Sequence, residues 1–392
     1  MRVAIFSDTY PPQINGVAVS ARNLRDTLVA HGHEVLVVTP NPEGKGFDFS
    51  ENIVRIPGIR MKRYYGYIIT NFWSRKGMQI VRDFKPEVIH IQTDGPVGQF
   101  GFLVASRLKA PTVYTYHTMI EDYAWYVTGG LVLDRAARSV VRSYVRMKSR
   151  SADEFITPSE KIKEYMRYIG VDASLSVIPT GVDFAKFDPK YIDEEKLKSI
   201  KDGLKIDGDE FILSSIGRIA KEKSIDMILR GFRVFVQANP AVRIRLFIVG
   251  GGPDLNNLKN LAAKLDISSK VVFVGPVDPD DVQYYYALSD CFVSASTSET
   301  QGLTFMEALA ARVPLLTRYD ESLSGLIENE KNGYFFFDEH EMATQLLRIV
   351  NLGFVKRSAL INQGLKTLEP YSLDKFYESI IEVYRRAIKK KY

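Results

Sequence analysis

A single cysteine, Cys291, stands among 392 residues, so no intrachain disulfide can form. It lies inside the apolar run CFVSAS and reads as a core residue of a protein kept in a reducing cytosol. Histidine is also scarce. The five present show no metal-ligand spacing with a cysteine partner, which argues against a structural zinc. No window reaches the ~20 uninterrupted apolar residues that a membrane span requires. The opening MRVAIFSDTY reads as a strand and not as a secretory leader, so any membrane contact is expected to be peripheral. Acidic residues are sparse between positions 55 and 150, where 16 Lys/Arg face 6 Asp/Glu, a local excess of 10. The whole chain carries only 52 − 47 = +5, so the remainder sums to −5. Such a block implies an anionic partner, either phosphate-bearing ligands or acidic lipid headgroups. Nucleic acid is not expected, since no helix-turn-helix, zinc finger or aromatic RNA-binding motif is visible. Repeats and low-complexity stretches are missing too, and no feature speaks to oligomeric state.

What is present is an alternation of Val/Ile-rich runs with helical patterns. RVAIFS, HEVLVVTP, VIHIQT (88–93), PTVYTYH (111–117) and DEFITPS (153–159) form one series. After the turn-rich segment 174–189 the pattern restarts with FILSSIG (211–217), IRLFIVG (244–250), KVVFVG (270–275), CFVSAS (291–296) and VPLLT (313–317). Near-continuous apolar strands separated by helices predict α/β sheets that are parallel and covered on both faces. The length exceeds one ordinary core, so two Rossmann-like domains are expected, 1–185 and 186–370, followed by a helix over 371–392 that packs back across the junction. Ligands of such sheets bind at the carboxyl ends of strands.

The segment 291–311, CFVSASTSETQGLTFMEALAA, runs from a strand into a helix with Gly302 at the turn. Free amides at a helix start attract phosphate, and Gly302 would let the backbone approach closely, with the Leu303 and Thr304 amides facing the ligand. Glu299 and Glu307 are separated by seven residues and could flank one extended ligand, each carboxylate accepting sugar hydroxyls. Thr304 and Glu307 also have capping-box spacing, so Glu307 could instead bond the helix start. Arg218 and Lys223, in GRIAKEKSID, could neutralise a diphosphate or be two surface cations. VGGGP (249–253) is a tight glycine loop. FVGPV (273–277) is a strand exit whose backbone, at Val274, could meet a nucleobase edge. PPQINGV puts Gly16 at a helix start, a second close approach to phosphate. His117 ends the strand PTVYTYH. DPDD (278–281) reads as a helix start, not as a metal-binding motif.

Two segments suggest a membrane surface. In 131–150, LVLDRAARSVVRSYVRMKSR, a helical wheel puts Arg135, Arg138, Arg142 and Arg146 on one side and Leu133, Ala137, Val140 and Tyr144 opposite. The apolar side is expected on the protein and the basic side at anionic lipid. RIPGIRMKRYYGYIITNFW (55–73) interleaves cations with Tyr64, Tyr65, Tyr67 and Trp73, a pattern suited to a membrane interface or to a partly buried loop.

These motifs together resemble glycosyltransferase family 4. The residues that carry the resemblance are Glu299, Gly302 and Glu307 in SETQGLTFMEAL, Gly217 to Lys223, VGGGP and IPTGVD (178–183). FSDTYPPQINGV (6–17) and YHTMIEDY (116–123) narrow it toward bacterial diacylglycerol glucosyltransferases. The resemblance spans essentially the whole chain. It implies a GT-B fold, a nucleotide-sugar co-substrate (UDP-glucose) with no other cofactor, no metal, and retention of anomeric configuration. It also implies diacylglycerol or a related glycolipid as acceptor, and a site at the inner face of the cell membrane. Carried over by position, Glu299 would hold sugar hydroxyls and Glu307 the ribose diol. Arg218, Lys223 and the amides of Gly16, Leu303 and Thr304 would hold the diphosphate. His117 would sit at the transferred sugar, and Asp122 and Tyr123 on the acceptor side. Gln301-Gly302-Leu303-Thr304 departs from the Gly-Phe-Gly-like turn of many members, which weakens donor assignments borrowed from distant ones. Another acceptor, such as phosphatidylinositol or a soluble sugar, and a nucleotide-sugar binder without transfer activity are the competing readings.

Overall fold

The computed structural model describes residues 1–13, 15–61, 67–117, 134–206, 208, 210–297 and 299–392, without the side chains of 134–138 and 322. It divides into two compact units, Met1–Gly181 with Leu373–Tyr392, and Val182–Ser372.

The first unit is built on β1 (Arg2–Phe6), β2 (Glu34–Pro40), β3 (Asp48–Ser50), β4 (Ile53–Ile56), β7 (Val88–Ile91), β8 (Thr112–Thr115), β9 (Glu154–Thr157) and β10 (Leu175–Val177). Their order is β10-β9-β8-β7-β1-β2-β4-β3, parallel throughout except where β3 meets β4. β5 (Gly58–Met61) and β6 (Tyr67–Thr70) form a separate antiparallel pair within 55–73, the segment whose sequence suited a membrane interface or a partly buried loop. Alternation along each strand sends side chains to two cores. Ala4, Phe6, Leu36, Val38, Ile89 and Ile91 face one side with Phe100 of the helix Pro96–Leu108. Val3, Ile5, Val35, Val37 and Val88 face the other, where Phe376, Ile380 and Tyr384 of the C-terminal helix Leu373–Lys391 cover them. The last helix of the chain therefore completes the first unit.

The second unit holds β11 (Phe211–Ile216), β12 (Ile244–Val249), β13 (Val271–Gly275), β14 (Cys291–Ser294), β15 (Leu315–Arg318) and β16 (Gly333–Phe336). All are parallel, in the order β13-β12-β11-β14-β15-β16. Leu213, Leu246, Ile248 and Val293 pack on one face, and Ile212, Phe247, Val249 and Phe292 on the other. Cys291 is fully buried in the first of these cores.

Each sheet reverses its direction of growth once, between β1 and β7 in the first and between β11 and β14 in the second. Open α/β sheets bind ligands at such points because the two flanking loops leave in opposite directions and open a crevice. The residues after β1 and β7, and those after β11 and β14, are therefore where chemistry is expected.

Candidate functional site

In the second unit the reversal point joins most of the residues expected to hold the donor. Arg218 and Lys223 lie on the loop after β11, and Glu299 lies on the loop after β14. Lys223 Nζ donates to Glu299 Oε1 at 2.6 Å, with both side chains mostly buried, and Arg218 pairs with Glu222. The two cations are thus members of ion pairs and not loose surface charges. A carboxylate and an ammonium held together form a ready exchange site. A phosphate can take the ammonium while a sugar hydroxyl takes the carboxylate.

The capping box is not formed. The helix Leu303–Ala310 starts from Gly302, whose left-handed backbone (φ 80°) caps it without any side-chain bond. Only a residue lacking Cβ fits there, since a Cβ would come within 2.9 Å of the Phe305 ring. The amides of the first turn consequently have no side-chain cap competing with an anion. Glu307 turns instead to Tyr286, whose hydroxyl donates to Oε2 at 2.8 Å and lies 3.2 Å from the Thr304 carbonyl. Burial drives the Glu307 carboxyl up to about 7, against the lowering effect of the Tyr286 hydrogen bond and of Lys186.

The glycine loop VGGGP acts on its neighbour. A Cβ on Gly250 would stand 1.9 Å from the Gly217 carbonyl oxygen, and one on Gly252 would stand 2.0 Å from that of Ile219. The Ile219 amide donates to the Gly251 carbonyl at 2.9 Å. These glycines let the Arg218 loop lie directly on the β12 exit. A Cβ at Gly217 would in turn be 3.9 Å from Thr304, so the loop adjoins the helix start. Val274 falls where the β12–β13 register slips, between the pairs Ile248–Phe273 and Val249–Gly275. β13 is the edge strand, so the bulge leaves main-chain groups of Val274 outside the ladder. Asp281 takes the N-cap position of the helix Val282–Ala287, and among the described residues no cluster of acidic, cysteine or histidine side chains could hold a metal.

In the first unit Gly16 is the first residue of the helix Gly16–Ala30, capped by Asn15, whose side chain accepts from the Ala18 amide at 2.9 Å. His117 follows β8, and its Nε2 lies 2.6 Å from Gln92 Oε1, just beyond β7. Burial lowers His117 to about 4, so the ring is neutral at physiological pH. Two carboxylates at the reversal point went unread in the sequence. Asp8, after β1, accepts from the Val97 and Gly98 amides at 2.8 and 3.1 Å and from Thr93 Oγ1 at 2.6 Å. It thereby caps the helix Pro96–Leu108, whose own N-cap, Gly95, has no side chain to do so. Burial pushes Asp8 up in spite of these bonds. Asp94 is pushed up to about 7 by burial and accepts a hydrogen bond from Tyr114. The signal available in the sequence was their position at strand ends.

Asp94 opens a cavity of roughly 890 Å³ in the first unit, lined also by Phe72, Phe102, Leu103, Tyr144 and Lys148. The basic helix, Asp134–Ser151, borders it, and here the expected faces are corrected. Val145 is buried with Val141 and Tyr144 packed beside it, while Val140 is 68% exposed and Met147 54%. Arg142 and Arg146 are half-buried, the former 5.6 Å from the Tyr168 ring. The core stripe runs 141-144/145-148, about one residue round from the expected one, because the packing partners and not the wheel alone set the rotation. The side chains of Arg135 and Arg138, and all of Tyr64, Tyr65, Asp122 and Tyr123, lie outside the described residues. Trp73 packs edge-on to Phe100, with the Arg107 guanidinium 4.2 Å from its ring, and Tyr67 is 39% exposed.

Two largely parallel sheets, each covered on both faces and each with one reversal point, make this an α/β protein of two Rossmann-like units. Residues 14–186 match the family described as Glycosyltransferase Family 4, and residues 197–367 match Glycosyl transferases group 1. The chain is 35% identical to the alpha-monoglucosyldiacylglycerol synthase of Acholeplasma laidlawii, over 100% of both chains. It is 35% identical to the synthase of that name from Streptococcus pneumoniae, over 88% of this chain and 78% of the relative. Among solved structures, Anabaena HepE in complex with UDP-glucose superposes with a TM-score of 0.75 at 15% identity, covering 97% of this chain and 98% of that one. Sucrose-phosphate synthase from Thermosynechococcus elongatus gives 0.76 at 18%, covering 99% of each. The protein belongs to glycosyltransferase family 4 and has the GT-B fold.

Proposed function

We propose that this glycosyltransferase moves glucose from UDP-glucose to diacylglycerol at the cytoplasmic surface of a membrane, with retention of configuration and without a metal ion. The observation that carries this reading is the Lys223–Glu299 pair at the second sheet's reversal point, in a chain 35% identical end to end to a synthase named for glucosyldiacylglycerol. In this reading the diphosphate displaces Glu299 from Lys223, so donor binding itself frees the carboxylate for sugar hydroxyls. Arg218, Lys223 and the amides of Leu303 and Thr304 then stabilise the charge growing on the departing diphosphate, the work a metal ion does elsewhere. Glu307 accepts from the ribose diol and main-chain groups at Val274 meet the base. The bond to the anomeric carbon breaks as the acceptor hydroxyl attacks from the same face, and the departing phosphate takes the hydroxyl proton. The cavity at Asp94, with apolar walls and the cationic Lys148, suits the glycerol end of a lipid whose chains leave toward the exposed Phe72 and Leu103.

The test is purified protein with a panel of UDP- and GDP-sugars, with and without diacylglycerol in mixed micelles. An α-linked glucolipid formed from UDP-glucose in the presence of chelator is expected. Glu299→Ala should lower its rate about 100-fold, the usual scale for losing one transition-state contact. Its melting temperature should change little, because Lys223 can be resolvated. Transfer to soluble sugars alone, or nucleotide-sugar binding without transfer, would replace the lipid reading.

A further inference from the structure

A chain of buried polar contacts runs from His117 through the first unit to the C-terminal helix. His117 Nε2 faces Gln92 Oε1 at 2.6 Å, and Gln92 Nε2 faces His90 Nε2 at 2.9 Å. His90 Nδ1 faces the Tyr384 hydroxyl at 2.8 Å, and the Thr115 hydroxyl lies 2.7 Å from His90 Nε2. His90, Gln92 and Tyr384 are all buried. The sheet register makes the chain possible. His90 pairs with Val113 across β7 and β8, so Gln92 and His117 emerge side by side from neighbouring strands.

With the Gln92 carbonyl oxygen turned to His117 and its amide nitrogen to His90, the protons follow. An amide nitrogen can only donate, so His90 Nε2 must accept from Gln92, and the Thr115 hydroxyl can turn to donate to the same lone pair. The His90 proton therefore sits on Nδ1 and is donated to the Tyr384 oxygen. At the other end the Gln92 carbonyl oxygen can only accept, so His117 carries its proton on Nε2. Both rings are neutral at physiological pH, since burial lowers His90 to about 3 and His117 to about 4. No described residue bonds His117 Nδ1.

We infer that Gln92 and His90, anchored by Tyr384, are positioning residues that lock His117 in its Nε2–H tautomer and leave Nδ1 as a hydrogen-bond acceptor for a hydroxyl of the sugar or the acceptor lipid. The role for Nδ1 rests on the reading of His117 as a site residue, whereas the tautomer does not. A protonated or Nδ1–H ring would present a donor at that point, so the lock sets which substrate atoms His117 can meet. The C-terminal helix thereby contributes to the site through Tyr384 without touching substrate.

Selective ¹⁵N labelling of histidine reads the tautomer directly in the full-length protein, with the His117 resonance identified by its loss in His117→Gln. Wild-type His117 is expected with a protonated Nε2 and an unprotonated Nδ1. Gln92→Leu should show both tautomers and lower kcat by about 10-fold, the scale on which removing a group that orients an imidazole acts. Gln92→Glu keeps an oxygen acceptor toward His117 and should retain its Nε2–H signal, while its second oxygen, which cannot donate, should draw the His90 proton to Nε2. An Nδ1–H ring in the wild type, or the same spectrum in Gln92→Leu as in wild type, overturns the lock. The wild-type spectrum is read on the native fold, and only the assignment of its His117 signal draws on a variant. If the expected tautomer is found but no glucolipid is made, the lock stands and the lipid reading falls.

Discussion

Glu307 shows how a single residue can satisfy a local rule on paper and obey a tertiary one in the fold. Its spacing from Thr304 suits a capping box, but Gly302 already ends the turn in a left-handed conformation and Tyr286 reaches the carboxylate first. Burial raises the group from 4.5 to about 7, so between those values the folded state holds a proton that the unfolded chain has released. Its contribution to stability is therefore complete below the unfolded value and is lost as pH rises through about 7. Glu307→Gln keeps an oxygen to accept from Tyr286 and removes the titration. The variant's melting temperature relative to wild type should climb between pH 5 and pH 8, by about 2–4 °C for each ~1 kcal/mol relieved. A constant difference across that range would place the carboxyl in ordinary solvent. In the proposed donor reading, Glu307→Gln should also weaken UDP binding, since a carboxylate accepts from both ribose hydroxyls and an amide oxygen takes them less well.

At the level of elements, strands were easier to read than the contacts they make. Ten apolar runs were legible because a parallel strand buried on both faces is apolar at every position. β3, β4, β5, β6 and β10 are short, with half-exposed or polar positions, and that pattern vanishes in them, while β16 has only four residues and opens on a glycine. The VGGGP loop was legible as a turn but not as a seat for another loop, because the partner, Gly217–Ile219, lies more than thirty positions earlier. Gly252→Ala tests that seat. Its Cβ would meet the Ile219 carbonyl at 2.0 Å, and backbone cannot rotate aside as a side chain can. A loss of about 1–3 kcal/mol by thermal or urea unfolding is expected. UDP binding by calorimetry should weaken as well, because the displaced loop carries Arg218. Gly208, whose Cβ meets nothing within 4 Å, serves as the control for substitution to alanine.

Over the whole molecule, the last helix and the charge distribution tie distant segments to one unit. The C-terminal segment was legible as a helix that packs back on the chain, yet its apolar face belongs with Val3, Val37 and Val88, which only the folded sheet brings together. The excess of ten positive charges within 55–150 also falls entirely on the first unit, and the helix Asp134–Ser151 supplies several of them. The corrected rotation of that helix changes what it offers a bilayer. Val140 and Met147 stand outward beside Arg150, so the exposed stripe joins apolar and cationic groups, whereas a purely basic face would bind headgroups alone. Two terms should then be separable in vesicle sedimentation. Raising salt screens the cationic term and weakens binding to anionic vesicles, since exposed charges beyond the ~8 Å screening length at physiological ionic strength cease to interact. Val140→Ser with Met147→Ser removes the apolar term and should weaken partitioning by roughly tenfold at any salt concentration, in line with about 0.8 kcal/mol per buried methylene. Binding unchanged in the double variant would mean that charge alone holds this face to lipid, and binding unchanged by salt would remove the basic excess from membrane attachment.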